Sequence, residues 1–585
     1  MITDIKASVV AQFGMLSGIT LSVASQLAAA DLSLEVAQAW TVAEQRSSQT
    51  IAWLNTTYGS PGMYSDFPAV GDPSTGHWSV VSNTRDWRNG FWPGTLWLLA
   101  QHTGSDLWKQ RAMDWSAPLA QSTNTDHDIG FIVLASLGKG WLYHDESTDP
   151  GAAYRAFGKS AILSAAAKLD SRFNQVNSAG VPIPAGFTRS WNTPFEDPYP
   201  VCIDNLMNLE VMFLGYELSG RLPANRPWFD HALIHVRSSI ARHLRADGGS
   251  YHVVKHFESG PKIGQIERKS TVQGYGDETT WSRGQAWAIY GLTSAYRYAH
   301  RDPATNATDI LVAAQATADY FINHLPHYLV ADAYNHRVGD FVPPSDFDAA
   351  MGEPTGPWND FNADYNSSTG TGLGDRRPPS LAFTLRDSSA AAIAAAGLIE
   401  LSRYAVSVPD RNRYLGAAED ILHCLITYDG QDQDSEPDYL CSVSDIANPG
   451  ILKAGSVKWG DPNRSLIYGD FYFLEALARY EALNARILLE RTQGITRVAP
   501  DFHFEFERNT AAPTLGFRVL QSPNLSEGSW TTVATKMGSG PWACAAGLTE
   551  EPMANGHTLV KIAGATAGNR GFFRVLTRSI GGDGP

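Results

Sequence analysis

Between about Leu34 and Leu483 the apolar residues return with a helical period, and the stretches that carry it begin near Leu34, Trp92, Ser105, Asp128, Ala153, Asp204, Trp228, Trp281, Pro303, Asp387, Arg411 and Ser465. Helices in that number, paired through turns, predict six hairpins closing into an (α/α)6 barrel whose inner helix ends surround a pocket. An open helical solenoid is the alternative that the same period allows. Three loops are longer than a connection needs: Phe173 to Tyr199, Gly249 to Thr280, and Val338 to Leu385. Loops of that length in a compact domain commonly serve function, and the last is expected to fold over the pocket rim.

After Val498 the helical period gives way to alternation. Phe502 to Glu507, Leu515 to Leu520, Trp530 to Val533, Thr558 to Ile562 and Phe572 to Leu576 read as short strands between turn residues, predicting a small β-sandwich. The expected division is therefore residues 1–30, a signal segment; 31–497, a barrel; and 498–585, an all-β accessory domain, for sugar binding or for attachment.

Composition narrows the function. A chain of 585 residues exceeds one ordinary core, and a net charge of -15 argues against nucleic acid and anionic membranes as partners. Its 17 Trp and 22 Tyr offer flat faces that stack on sugar rings, although large helical cores use Trp too. Cys202, Cys424, Cys441 and Cys544 have no metal-ligand spacing, and a Cys424–Cys441 bridge is one pairing left open. The run Val9 to Ala30 is apolar and ends in small residues, which resembles an export signal cleaved before Asp31 and predicts a periplasmic or secreted protein. A frayed N-terminal helix is the alternative, and no other stretch is long and apolar enough to span a bilayer.

The candidate chemistry starts from Trp281-Ser282-Arg283-Gly284-Gln285-Ala286-Trp287, which opens a strongly apolar helix with polar and aromatic groups that are costly to bury without partners. The loop Thr271 to Thr280 feeds that helix N-terminus, where the macrodipole favours an anion. Asp128 and Asp204 stand at the starts of two further apolar helices, with Asn208 one turn beyond Asp204 on the same face. Either aspartate alone reads as an N-cap; two of them beside Trp-rich loops read as paired carboxylates.

An ordered set of segments carries a resemblance to the unsaturated glucuronyl hydrolases, glycoside hydrolase family 88. The set is Gly90-Phe91-Trp92-Pro93-Gly94, His127-Asp128-Ile129-Gly130-Phe131, Arg189-Ser190-Trp191-Asn192, Ile203-Asp204-Asn205-Leu206-Met207-Asn208-Leu209, Trp281 to Trp287, Arg386-Asp387-Ser388-Ser389-Ala390 and Tyr468-Gly469-Asp470-Phe471-Tyr472. The resemblance implies removal of a 4,5-unsaturated uronic acid from the non-reducing end of lyase-generated oligosaccharides by hydration of the C4=C5 bond. It makes Asp204 the acid/base and Asp128 its partner, with Asp204 the carboxyl whose pKa is raised. It places Trp92, His127, Trp191, Asn208, His252, Gln273, Trp281, Arg283, Trp287 and Tyr472 around the sugar, with Arg283 and Gln273 on the uronate carboxylate. For Arg283 the plainer reading is a salt bridge with Asp277 or Glu278. Lys453, Ser456 and Lys458 are candidate sulfate contacts, a solvated loop being the alternative. No metal and no cofactor is expected. Departures from the family pattern are Val272, where a polar residue is expected, the insertion from Met351 to Pro379, and the β region. The rival readings are an unsaturated rhamnogalacturonyl hydrolase, a polysaccharide lyase on the same barrel, and a sugar-binding protein without catalysis.

Overall fold

The computed structural model describes residues 32–60, 62–145, 148–192, 198–326, 340–350, 386–428, 438–459, 461 and 463–492, and beyond them the strands between Gly494 and Ser579. The run Val9 to Ala30 and all but 340–350 of the loop Val338 to Leu385 lie outside these residues.

The chain is mainly helical. Phe91–Thr103 packs on the helical run 129–143, that on 205–218, that on Ser282–Ala299, that on Ser388–Ser402, that on Ile467–Thr492, and Ile467–Thr492 returns to Phe91–Thr103. A second set, Asp106–Ser116, Asp149–Asp170, Arg226–Arg242, Thr308–Asn323 and Val408–Thr427, alternates with these in the chain and packs against them. Burial separates the two sets: every residue of Ser388–Ser402 is buried, whereas Arg226–Arg242 buries six of its 17. Asp387 caps Ser388–Ser402 by accepting from the amides of Ser389 and Ala390. The Ala-rich sequence of this helix combines the best helix propensity with a thin profile that neighbours can approach on every side.

Glycines sit where the inner helices come closest. A Cβ added to Gly130 would lie 2.6 Å from Cα of Asn208, and one added to Gly291 would lie 2.6 Å from Cβ and 2.8 Å from the carbonyl carbon of Leu206. Below this level the ring interior is ionic. Lys139 Nζ meets Glu475 at 2.8 Å, Arg297 is bracketed by Glu400 at 2.6 Å and Glu210 at 2.7 Å, and Arg479 reaches Glu400 at 2.9 Å. Three cations balance three carboxylates, so the buried charges are paired, and Lys139, Arg297, Glu210 and Glu475 among them line a cavity of about 60 Å³.

Above it, strands Tyr199–Cys202, Val253–His256 and Ile266–Ser270 form an antiparallel sheet with Val201 opposite Val254 and Val254 opposite Lys269. Beyond Thr492 lie two antiparallel four-stranded sheets. One runs Trp542–Cys544, Thr531–Lys536, Leu515–Ser522, Phe572–Ser579; the other runs Leu548–Pro552, His557–Gly564, Asp501–Asn509, Gly494–Val498. Gly494–Val498 is a strand within the region expected to be helical barrel, and it pairs antiparallel with Asp501–Asn509. Cys202, Cys424 and Cys441 are free thiols, so the Cys424–Cys441 bridge does not form; the Cys424 sulfur accepts from the Phe341 amide instead.

Among the described helices none is long and apolar enough to cross a membrane. The close approach at Gly291 makes a direct prediction. Alanine gains about 1 kcal/mol over glycine inside a helix, but overpacking against backbone that cannot yield costs about 1–3 kcal/mol. Gly291→Ala is therefore expected to lower the urea midpoint. Gly397→Ala, whose Cβ would find its nearest atoms at 3.1 Å, is expected to lower it less. Equilibrium unfolding of the two variants side by side checks this order.

Candidate active site

The starts of three inner helices converge on a cavity of about 380 Å³. Asp128 precedes Ile129–Val133 and Asp204 precedes Asn205–Asn208, yet neither side chain makes a capping hydrogen bond. Both carboxyls line the cavity instead. The N-cap reading therefore fails for both.

What holds the two helix starts together is Asn208. Its Oδ1 accepts from the Phe131 amide at 2.6 Å and its Nδ2 donates to the Asp204 carbonyl at 3.3 Å. Asn208 is fully buried and does not line the cavity, so its expected contact with substrate is corrected to a tie between the two aspartate-bearing helices. His127 lies between the carboxyls, with Nε2 3.3 Å from Asp128 and Nδ1 3.8 Å from Asp204. His127 Nδ1 and Asp204 Oδ1 are both buried without a hydrogen-bond partner. Burial, with the nearby Arg172 guanidinium, pushes His127 down to about 3, so its ring is neutral.

Burial raises Asp204 to about 6, against the lowering effects of the Cys202 thiol, which hydrogen-bonds it, and of Arg283. Asp128 is raised well above the usual carboxylate range, by burial first and then by Asp126, Asp204 and Asp86. The expectation that Asp204 alone is raised is thus corrected: desolvation acts on both members of the pair, which hold on to protons together. Among the described residues, His127, Asp128 and Asp204 are also the one trio whose donor atoms lie within 4.8 Å of one another.

The sheet brings His252 to the same place, because the Ile203 amide continues the ladder to the His252 carbonyl at 2.9 Å. His252 Nδ1 accepts from the Val272 amide at 3.2 Å, which leaves the ring proton on Nε2; burial pushes this imidazole to about 3 as well. Val272, where a polar residue was expected, meets His252 through its backbone and lines the cavity with its side chain. Trp191, Trp281, Trp287 and Gln273 also line the cavity, Trp281 packing on His252 at 4.4 Å and Trp191 meeting the edge of His127 at 6.2 Å.

Other expected contacts fall elsewhere. Trp92 is buried edge-on against Trp115 at 5.7 Å and belongs to the core, because the helix starting at Phe91 turns that face away from the cavity. Tyr472 lines the lower, ionic cavity. Tyr468, one turn earlier, lines the upper one. Arg283 is almost fully buried. Its Nη1 donates to Asp387 Oδ2 at 2.6 Å, to the Ser456 carbonyl at 2.5 Å and to Ser389 Oγ at 3.3 Å, and its Nη2 donates to the Val457 carbonyl at 2.7 Å. Its ionic partner is Asp387, not Asp277 or Glu278, and its fork is largely occupied by protein acceptors. Gln273 Nε2 likewise donates to the Val457 carbonyl at 2.8 Å. Ser456 is buried and its hydroxyl holds the Lys458 carbonyl at 2.9 Å, so Lys453, Ser456 and Lys458 do not present a joint sulfate cradle. The Lys458 side chain is exposed and that of Lys453 is partly buried. The loop Thr271 to Thr280 finds its anion within the chain: Asp346 accepts from the Tyr275 amide and Thr279 Oγ1, and Asp348 from the Thr280 amide.

Val70, Trp87, Arg88, Cys202, Val457 and Tyr468 also line the cavity and were not among the expected contacts. Trp87 and Arg88 occupy the 3-10 turn Trp87–Gly90, directly before a segment quoted for the family resemblance, and Cys202 stands two residues before Asp204. The signal for these three was adjacency to a recognised motif.

No family model matches the chain. An unsaturated glucuronyl hydrolase of Formosa agariphila is 32% identical over 408 residues, 68% of this chain and 81% of that protein. The crystal structure of an unsaturated glucuronyl hydrolase specific for heparin superposes with a TM-score of 0.55 at 26% identity, covering 77% of this chain and 98% of that one. A UGL variant solved with the oligosaccharide dGlcA-Glc-Rha-Glc has a TM-score of 0.53 at 26% identity, covering 75% of this chain and 96% of its own. With that extent of likeness, and with the His-Asp, Ile-Asp-Asn and Trp-Ser-Arg-Gly-Gln-Ala-Trp segments meeting at one cavity, the chain belongs to the unsaturated glucuronyl hydrolase family of glycoside hydrolases.

Proposed function

We propose that this hydrolase removes a 4,5-unsaturated uronic acid from the non-reducing end of lyase-generated oligosaccharides, glycosaminoglycan or algal polyuronate fragments, with Asp204 as the acid/base and Asp128 as its partner. The observation that carries the reading is the pair itself: two partly buried carboxyls free of capping duty, both raised by desolvation, facing one Trp-lined cavity. Hydration of a vinyl ether needs an acid still protonated near neutral pH. Asp204 gives its proton to C4, the resulting carboxylate takes a proton from the water that adds to C5, and the hemiketal so formed opens and breaks the glycosidic link.

His127 stands between the two carboxyls as a neutral imidazole with one N–H, Nε2 3.3 Å from Asp128 and Nδ1 3.8 Å from Asp204, so it can serve only one of them as a donor. His252, whose ring proton is on Nε2, lines the same cavity and offers a donor there, and Trp191, Trp281 and Trp287 offer stacking faces.

The same proposal extends to the frame. The return of Ile467–Thr492 to Phe91–Thr103 supports an (α/α)6 barrel, and the two four-stranded sheets support a sandwich-like C-terminal domain. The run Val9 to Ala30 supports a periplasmic or secreted location.

Loss of ultraviolet absorbance of an unsaturated disaccharide reports the reaction, because hydration destroys the conjugated double bond. Wild type is expected to bleach the substrate, and Asp204→Asn to lower kcat by about 10²–10⁴-fold or more, the usual worth of a general acid. A rising absorbance on intact polysaccharide would instead mark a lyase, and a flat trace on every substrate would mark a binding protein.

The pH dependence follows from the same groups. The acid form of Asp204 is depleted as pH rises through about 6, so kcat/KM is expected to fall on the alkaline side of that value. His127 and His252, both pushed to about 3, contribute no limb between about pH 5 and 8, where histidine ordinarily titrates. A kcat/KM profile whose alkaline limb survives His252→Gln checks the assignment.

A further inference from the structure

The cavity is lined by two arginines, and they differ in what they have left to offer. Arg283 is 1% exposed, and its two Nη atoms already serve a carboxylate, a hydroxyl and two carbonyls. Arg88 is 25% exposed; its Nε and Nη2 donate to Asp86 Oδ1 and Oδ2, each at 2.8 Å, and among the described residues no acceptor holds its Nη1. Its place is set rigidly. Asp86 caps the turn by accepting from the Arg88 amide, Trp87 packs on Tyr468 at 4.9 Å, and a Cβ at Gly90 would lie 2.5 Å from the Ile132 carbonyl oxygen.

The proposed substrate is anionic and must enter beside a carboxyl pair, so it needs a cation with donors to spare. Building on the hydratase reading above, we propose that Arg88 is the residue that anchors an oxyanion of the substrate, through its Nη1 edge. The oxyanion is either the C6 carboxylate of the unsaturated uronic acid or a sulfate on the adjoining sugar; both present the planar-fork acceptor pair that a guanidinium matches. The assignment places a cation with a free donor on the turn Trp87–Gly90, separate from Arg283, whose donors are engaged within the protein, and from the exposed Lys458.

Absorbance-loss kinetics with three substrates tests it: an unsulfated unsaturated uronyl disaccharide, its C6 methyl ester, and the same disaccharide sulfated on the second sugar. Arg88→Gln is expected to raise KM about tenfold, the effect of losing one charge-assisted contact, with less change in kcat. Arg88→Lys, which keeps the charge and the Asp86 pair without the fork, is expected to fall between the two. If the carboxylate is the ligand, the methyl ester is a poor substrate of wild type and Arg88→Gln adds no further penalty to it. If the sulfate is the ligand, the penalty appears on the sulfated substrate alone. An unchanged KM for Arg88→Gln on all three, or an equal fall in kcat on all three with KM unchanged, overturns the proposal. Failure of the underlying reading looks different, since wild type would then bleach none of them.

Discussion

The hydrogen bond from the Phe131 amide to Asn208 Oδ1 is the constraint on which the site depends. It is short because Gly130 has no side chain to hold the two helices apart, and it links the turn after Asp128 to the turn after Asp204. Two carboxyls with oxygens within 4.8 Å of one another repel when both are charged, and the Asn208 bond is a tie between their helix starts that does not depend on that charge. Asn208 makes that tie with backbone on both sides, accepting from Phe131 and donating to the Asp204 carbonyl, and so the pair keeps its spacing whichever member carries a proton.

Most of the helical frame was legible because burial on one side imposes a period that survives any detail of packing. The stretches starting near Trp92, Asp128, Asp204, Trp281 and Asp387 all begin helices within a residue of the expected start. The helix expected near Ala153 starts earlier, at Asp149, where Thr148 accepts from the Gly151 amide and Pro150 occupies the first turn. In the C-terminal region the longer strands showed alternation, but Trp542–Cys544 and Leu548–Pro552 are too short, and Gly494–Val498 too close to a long helix, for a period of two to stand out.

The site was legible in its chemistry and less so in its geometry. Spacing along a helix says which residues share a face, not what that face meets. Asn208 shares a face with Asp204 and meets another helix, Trp92 meets Trp115, and Tyr472 points one turn below the cavity that Tyr468 lines. Arg283 is the plainest case. Its partner, Asp387, is a helix cap from a separate motif, and the pair also gathers the Ser456 and Val457 carbonyls, so three distant segments of chain close around one guanidinium. No local pattern reports such a contact, because each segment by itself is an ordinary cap, an ordinary helix start or an ordinary loop.

Each arginine at the cavity arrives with its own counter-ion, Arg88 with Asp86 and Arg283 with Asp387. With both guanidinium charges offset, a docking carboxylate adds a negative charge that these two cations do not already balance. On the proposed assignment of Asp204 as the acid, the field of that carboxylate would strengthen the hold of Asp204 on its proton, so that the bound substrate itself keeps the acid loaded.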